Sequence, residues 1–351
     1  MFFTKTNSKS AVLLNTSKPL EIMNLQVPTL KNGQVLVEIS YSGICHTQLH
    51  EIRGKRGTDH FLPHTLGHEG SGKVIKVGKR VKKVKPGDHV VLTWIKASGI
   101  DVPSTQYESS IGKINSGAIS TFMEKTVVSE NRLIKIPKKM PLREAALLGC
   151  AIPTGAGIVR NTANLKTKDS IAVFGLGGIG MSIVLASKMA KARLIIGIDI
   201  EKNKLARAID IGASNVINAK KEDVIEEILK ITNNKGVDFS VEAIGNPKTM
   251  EDAFSSVRTN GGLCILAGNL PFGQKISIDP FELIKGKNIV GTWGGETSPE
   301  RDTKFYIKKF FSGEMPLNQL ITHEYDIEHI NEGFSDLEKG KVGRALIKMG
   351  K

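Results

Sequence analysis

Cys45 and His68 are the residues of this chain best suited to hold a metal ion. They stand in Gly43-Ile44-Cys45-His46-Thr47-Gln48-Leu49-His50 and Gly67-His68-Glu69-Gly70, with a basic loop, Arg53-Gly54-Lys55-Arg56, between them. Thiolate and imidazole are zinc donors, and a catalytic zinc takes three protein ligands while a fourth position stays open to water or substrate. Two donors do not complete such a site. The best candidate for the third is Cys150, in Gly149-Cys150-Ala151-Ile152-Pro153-Thr154-Gly155. A cysteine in a Gly-Ile-Cys setting can equally be a small core residue, so the metal reading depends on the motifs around it.

A second group of residues is suited to a dinucleotide. Gly175, Gly177 and Gly180, with Gly178 between them, follow the apolar run Ser170-Ile171-Ala172-Val173-Phe174 and open an apolar helix reaching about Lys191. Asp199 ends the next apolar strand, nineteen residues after Gly180. Strand, glycine turn, helix, strand and terminal acid together form the dinucleotide fingerprint, which GxGxxG alone does not. The glycines let backbone N–H groups approach a pyrophosphate, and the helix N-terminus favours its charge. Asp199 would accept a hydrogen bond from the adenine-ribose 2′-hydroxyl and repel a 2′-phosphate, so NAD is preferred over NADP. Lys204 either adds a ribose contact or is a solvated helix lysine.

The elements that must position these residues fall into two styles. Up to about residue 150 the chain shows short alternating strands separated by Gly and Pro turns, which imply a small barrel or sandwich. Residues 96–118 lack a period and read as a surface loop, 121–129 as a strand, and 141–148 as a short helix delivering Cys150. The run 76–85 alternates Lys or Arg with Val and reads as a strand pair with a solvated face. From about 154 strands and helices alternate: helix 201–211, strand 214–218, helix 223–232, strand 237–244, helix 247–258 and strand 262–268, completed by strands at 275–278 and 288–293. That tempo predicts an α/β doubly wound parallel sheet with covered faces. The tail offers a helix at 300–312, a strand at 320–326 and a helix at 328–339.

Composition narrows the class. The 351 residues suffice for two domains with sizeable cores, and 36 glycines fit many tight turns. No run of eighteen apolar residues is present, and residues 1–5 are too short and polar for a secretory leader. Three cysteines point to a reducing, cytoplasmic setting with metal or catalytic use, not a disulfide frame. The formal charge of +14 favours polyanions. The basic residues are scattered, however, without a nucleic-acid-binding motif or aromatic platform, which argues against nucleic-acid binding. Cys264, mid-strand in Gly262-Leu263-Cys264-Ile265, reads as core.

With zinc donors and a dinucleotide fingerprint in one chain, the sequence resembles the zinc-dependent alcohol dehydrogenases of the medium-chain dehydrogenase/reductase family. The likeness spans essentially the whole chain. It is carried by Cys45-His46-Thr47, Gly67-His68-Glu69-Gly70 with Gly72 and Gly78, Lys85-Pro86-Gly87-Asp88, Cys150 with Thr154-Gly155, and the Gly175 fingerprint. The resemblance implies a GroES-like β-barrel catalytic domain over 1–153 and 294–351, with a Rossmann NAD-binding domain over 154–293 between. It makes Cys45, His68 and Cys150 the ligands of one catalytic zinc. Glu69 becomes the carboxylate behind the metal and Arg344 its partner. Thr47 takes the substrate proton, and His50 ends a relay toward solvent. His46 contacts pyrophosphate, Thr154 packs on the nicotinamide, and Gly291-Thr292-Trp293 holds the carboxamide. The implied reaction is hydride transfer between a zinc-bound alcohol or carbonyl (alcohol, polyol or sugar derivative) and NAD(H), with domain closure excluding water. A homodimer or homotetramer is also implied.

Two departures stand out. Residues 93–120 lack the four cysteines of the family's structural-zinc lobe, so no structural zinc is expected and the lobe is either held by packing or mobile. Gln48 replaces the usual aspartate, which bears on zinc affinity and turnover. Arg53, Lys55 and Arg56 either attract an anionic or sugar-derived substrate or form a solvated turn. The competing readings are a zinc-independent quinone-reductase-like enzyme and a non-catalytic nucleotide or polyanion binder.

Overall fold

The computed structural model describes residues 6–350, so the leader reading of residues 1–5 lies outside the described residues. The chain divides into two compact units: Met1–Cys150 with Ser298–Phe310 and Ile321–Lys351, and Ala151–Thr297 with Phe311–Leu320.

The first unit is β-rich. A closed barrel joins Asn7–Leu13, Glu21–Gln26, Gln106–Ser109, Gly112–Asn115 and His64–Thr65. A second sheet runs in the order Leu133–Ile136, His89–Thr93, Glu69–Val77, Gln34–Gly43, Ala345–Lys348 and His323–Asp326, with Lys125–Ser129 also paired to Gln34–Gly43. Alternation explains the inward set: Val35, Val37, Ile39, Val74, Val90, Leu92 and Leu133 are buried in one core with Phe122 and Phe334. The C-terminal tail belongs to this unit because Leu346 pairs with Gly43, placing Arg344 beside the strand that leads to Cys45.

In two places the chain departs from its sequence pattern. Residues 96–118 are not simply a surface loop, since Gln106–Ser109 and Gly112–Asn115 form a hairpin. Its inward apolar residues are only Tyr107 and Ile114, both fully buried, too few for periodicity to reveal, and Ile111 at the turn is exposed. The 76–85 run is not a strand pair either. The strand ends at Val77, and the chain turns through 79–88, where Asp88 accepts from the Lys85 N–H at 3.0 Å.

The lobe without cysteines is held by carboxylates. Buried Glu130 accepts from the backbone N–H groups of Lys82 and Lys83, each at 2.6 Å, and of Ile100 at 3.0 Å. Glu300 accepts from Lys83 Nζ at 2.6 Å and from Ser98 N at 2.9 Å. Burial by itself raises the Glu130 carboxyl, but the three N–H groups and Lys83 bring it below its ordinary value. A depressed carboxylate stabilises the fold above its unfolded pKa of about 4.3 and loses that contribution as pH falls through its folded value. Glu130→Ala, which orphans three N–H groups, will therefore cost about 2–4 kcal/mol near pH 7. Urea unfolding should show that difference shrinking once the wild-type carboxylate is protonated.

The second unit is a six-stranded parallel sheet in the order Asn215–Asn218, Leu194–Asp199, Ser170–Phe174, Phe239–Glu242, Leu263–Leu266 and Asn288–Gly291. Numbered along the chain this is 3-2-1-4-5-6, the doubly wound dinucleotide-binding arrangement. Helices Gly178–Met189, Lys202–Ile211, Val224–Ile231 and Pro247–Ser256 alternate with the strands. Asp223 and Asn246 cap the last two through their side chains. Residues 275–278 are not a strand. The Ser277 N–H is given to Glu251 Oε1 at 2.8 Å, so at that residue the backbone donor goes to a helix side chain and not to a neighbouring strand. Cys264 is fully buried, and burial pushes its thiol up to about 12, as a core cysteine should be. Among the described residues no single helix is long and apolar enough to cross a membrane.

Candidate active site

The three proposed metal donors all come from the first unit. Strands Gln34–Gly43 and Glu69–Val77 are antiparallel neighbours with Ser42 opposite Gly70, so Cys45, just past the first, and His68, just before the second, emerge side by side. Cys150 is brought up by a close approach. Thr93 Oγ1 donates to the Gly149 carbonyl at 2.8 Å, and a Cβ on Gly149 would collide with Glu69. His68 Nε2 then lies 3.1 Å from Cys150 Sγ. The Cys45 thiol is held well below its ordinary pKa, foremost by its hydrogen bond with Cys150 and further by His68 and the Arg344 charge, against the opposing effect of burial. Two sulfurs and an imidazole nitrogen thus converge, one sulfur already disposed to be thiolate.

Gln48 provides a direct test of whether this set fits a metal. It is 2% exposed, its amide touches His68 Nδ1, and its Oε1 has no hydrogen-bond partner. An amide nitrogen on Nδ1 would force the proton onto Nε2, which faces the sulfur. Turning the amide end for end puts the orphaned oxygen on Nδ1–H, satisfies it, and frees the Nε2 lone pair for a cation. Behind this set Glu69, fully buried, is ion-paired with buried Arg344, whose Nη1 also donates to the Ile44 carbonyl at 3.0 Å. The arginine charge lies against both Glu69 and Cys45.

Helix His46–Ile52 carries the proposed relay. Cys45 is its N-cap, Thr47 Oγ1 lies 3.9 Å from Cys45 Sγ, and His50 is in the last turn. Burial, then the Lys55 charge, lowers His50 below its ordinary 6.5, so it is neutral at pH 7 and can accept a proton. Arg53 does not stand free. It forms a two-point ion pair with Glu338, Nε to Oε1 at 3.0 Å, while Arg56 lies 3.9 Å from Glu51 and is largely exposed.

The dinucleotide residues gather in the second unit. Gly175 has φ +91° and Gly177 caps helix Gly178–Met189. A Cβ on Gly177 would project into open space, whereas one on Gly180 would strike the Gly175 carbonyl. The first leaves room for a pyrophosphate at the helix N-terminus, and the second closes the turn. This is a fit to NAD from the chain's own shape. Asp199 has structural work as well: Oδ2 accepts from Leu176 N at 2.8 Å and Oδ1 from Ile200 N at 2.8 Å, tying the glycine loop to the strand end. Lys204 Nζ stands 4.0 Å from Asp199 Oδ2. Thr154 is buried in helix Ala151–Gly157 with Oγ1 lacking a hydrogen-bond partner, and Trp293 is largely exposed after strand Asn288–Gly291. His46 opens its helix in the first unit.

One residue at the carboxyl edge of the sheet escaped the sequence reading. Glu242, fully buried at the end of Phe239–Glu242, accepts from Ile244 N, Gly245 N and Thr249 Oγ1, with burial raising its pKa. A single acid closing an apolar strand was its only trace in the sequence.

Fold and site together define a two-domain dehydrogenase: a β-barrel unit with a sulfur–imidazole cluster, and a 3-2-1-4-5-6 sheet with a glycine-rich turn. The alcohol dehydrogenase GroES-like domain matches residues 31–138 and the zinc-binding dehydrogenase domain matches 178–310. An S-(hydroxymethyl)glutathione dehydrogenase of Photobacterium damsela subsp. piscicida is 34% identical over 97% of this chain and 99% of its own. A crystal structure of an alcohol dehydrogenase zinc-binding domain protein from Burkholderia ambifaria superposes with TM-score 0.91 at 30% identity, covering 99% of this chain and 100% of that one. Benzyl alcohol dehydrogenase from Acinetobacter calcoaceticus does so with TM-score 0.89 at 28% identity, covering 98% and 100%. The chain belongs to the zinc-dependent alcohol dehydrogenases of the medium-chain dehydrogenase/reductase family. It is an oxidoreductase that moves hydride between an alcohol or carbonyl and NAD(H), and this reading is favoured over the quinone-reductase and binding-protein alternatives.

Proposed function

We propose that Cys45, His68 and Cys150 hold one catalytic zinc, that residues 93–120 hold none, and that the substrate is a primary alcohol or its aldehyde. The observation that carries this is the meeting of His68 Nε2, Cys150 Sγ and the low-pKa Cys45 around one point. When bound, zinc supplies Lewis-acid polarisation of the substrate oxygen and eases loss of its proton. The chain does the rest. Thr47 receives that proton and passes it toward His50, whose neutral ring can hold it. Glu69, neutralised by Arg344, keeps the space behind the ligands dry and fixed. His46 and the Gly175, Gly177, Gly178 and Gly180 turn hold the NAD pyrophosphate. Asp199 and Lys204 hold the adenosine ribose, while Thr154 and the Trp293 backbone orient the nicotinamide. The domain limits 1–153 with 294–351, and 154–293, follow the same reading.

Protein purified without added zinc is assayed for metal and for NADH formation with benzyl alcohol and with S-(hydroxymethyl)glutathione. About one zinc per chain and turnover of either alcohol are expected; metal-free protein that reduces quinones would overturn the proposal. Lys55 and Arg56 would favour the anionic glutathione adduct, because Arg53 is already paired. Reversing Lys55 and Arg56 to Glu should raise KM for that substrate severalfold and leave the KM for benzyl alcohol unchanged.

Gln48 gives a sharper test of the metal set. Gln48→Leu removes the acceptor for His68 Nδ1–H and should weaken zinc binding by about 10–100-fold in chelator competition. Gln48→Asp should restore it.

A homodimer or homotetramer is proposed from the second unit. Its sheet ends in edge strand Asn288–Gly291, with exposed Val290 on it and exposed Phe281 and Ile284 just before it. A two-fold pairing of this edge would cover them, and a monomer by light scattering would exclude it. A cytoplasmic location is proposed from the free thiols alone.

A further inference from the structure

Three further donors come together within one short stretch. Glu51 lies near the end of helix His46–Ile52, Asp59 in the loop that follows, and His64 in strand His64–Thr65. One ligand atom from each lies within 4.8 Å of the others. His64 is only 5% exposed, and its two ring nitrogens have different neighbours. Nδ1 is 3.1 Å from the Thr65 carbonyl oxygen, which can only accept, so Nδ1 carries a proton. Nε2 is 2.8 Å from Asp59 Oδ2. With Nδ1 engaged by the carbonyl, Nε2 faces two carboxylates that also repel each other. A metal ion bound between the three would answer that repulsion.

The arrangement favours the ion. Anchoring of the remote ring N–H by a backbone carbonyl is how metal-ligating histidines are oriented. A single ring proton leaves the trio one negative charge in excess, and Arg56, 3.9 Å from Glu51 and largely exposed, answers it weakly. Burial, with the Asp59 charge beside it, raises the Glu51 carboxyl against the opposing effects of His64, Arg56 and His68. Access exists: Glu51, Phe61 and His64 line a cavity of about 1090 Å³. Lys31, Lys113 and Glu108 are the other charged residues on its wall.

We propose that Glu51, Asp59 and His64 form a second divalent-cation site, separate from the sulfur–imidazole cluster. One imidazole, two carboxylates and no thiolate suit an ion of the Mn²⁺ class better than one that seeks sulfur. The bound ion would staple the end of the helix bearing Thr47 and His50 to strand His64–Thr65, closing the basic loop between them.

The test titrates zinc-loaded, full-length protein with Mn²⁺ and follows the free-ion EPR signal, with zinc content checked before and after. The expected result is one saturable Mn²⁺ per chain with zinc retained, together with paramagnetic broadening of the His64 ring ¹⁵N signals. Asp59→Asn and Glu51→Gln should each weaken binding by about tenfold or more. Asp59 Oδ1 also accepts from Phe61 N at 2.9 Å, so its variant can disturb the loop. The structure gives Glu51 no backbone contact of that kind, which makes Glu51→Gln the decisive variant. No saturable binding, binding unchanged in Glu51→Gln, or a His64 ring that is doubly protonated at pH 7 and indifferent to Mn²⁺ would each overturn the proposal.

Discussion

Cys150→Ser will abolish alcohol oxidation, lowering kcat/KM by at least about 10⁴-fold, and will leave the protein with little bound zinc. A bound zinc lowers the pKa of its hydroxyl ligand from near 16 to about 7, so loss of the ion removes many kcal/mol of help in deprotonating the alcohol. Serine is nearly isosteric with cysteine but does not ionise at neutral pH, and the metal needs the charge. Cys150 Sγ also lies 3.1 Å from His68 Nε2 and is the foremost cause of the lowered Cys45 pKa. Its removal therefore weakens the other sulfur too. Metal analysis with an NADH assay reads both effects. Thermal melting separates them from misfolding, since Cys150 lies at the end of a segment anchored independently by Thr93. Zinc-replete Cys150→Ser protein with near-normal turnover would end the assignment.

Asp199→Ser will raise KM for NAD by about 30–100-fold and bring NADP into use. On the proposed role, the carboxylate would contribute about 2–3 kcal/mol as a charged acceptor for the ribose hydroxyls, and its charge would repel a 2′-phosphate. The structure adds a second consequence. Asp199 Oδ2 holds Leu176 N, in the middle of the glycine turn, at 2.8 Å. The variant should therefore bind both nucleotides less well than a change of specificity alone would give, and its melting temperature should fall. Asp199→Asn, which keeps an oxygen for Leu176 N but sets its amide nitrogen against the Ile200 and Glu201 N–H groups, separates the two roles in part: stability recovers only partly while discrimination against NADP stays relaxed. Fluorescence titration with NADH and NADPH measures each.

Much of this protein was legible because its chemistry depends on residue type and local spacing. The Gly175–Gly180 turn followed by Asp199 could be read directly, since the strand, turn and helix that give it meaning are contiguous. The central strands Ser170–Phe174 and Leu194–Asp199 are buried, short apolar runs, and the alternating helices mark the breaks between strands. Cys45 and His68 were marked by donor type. The failures came where the signal was too short or pointed the wrong way. The Gln106–Asn115 hairpin shows only Tyr107 and Ile114 as inward residues, and 275–278 has strand-like residues whose backbone instead serves Glu251.

Tertiary structure decided the rest, because those distances close only through strand pairing. Nothing local says that Cys150 reaches His68, that the tail strand Ala345–Lys348 brings Arg344 to Glu69, or that Glu130 and Glu300 hold a lobe that lacks cysteines. Arg53 could not be told from a free cation until Glu338, far along the chain, was found against it. The sequence by itself determined which atoms can bind a metal and a dinucleotide, since donor chemistry belongs to the residue. Register and the packing of remote segments decided which of those atoms meet and which are already neutralised, since a contact between distant residues is a property of the whole fold.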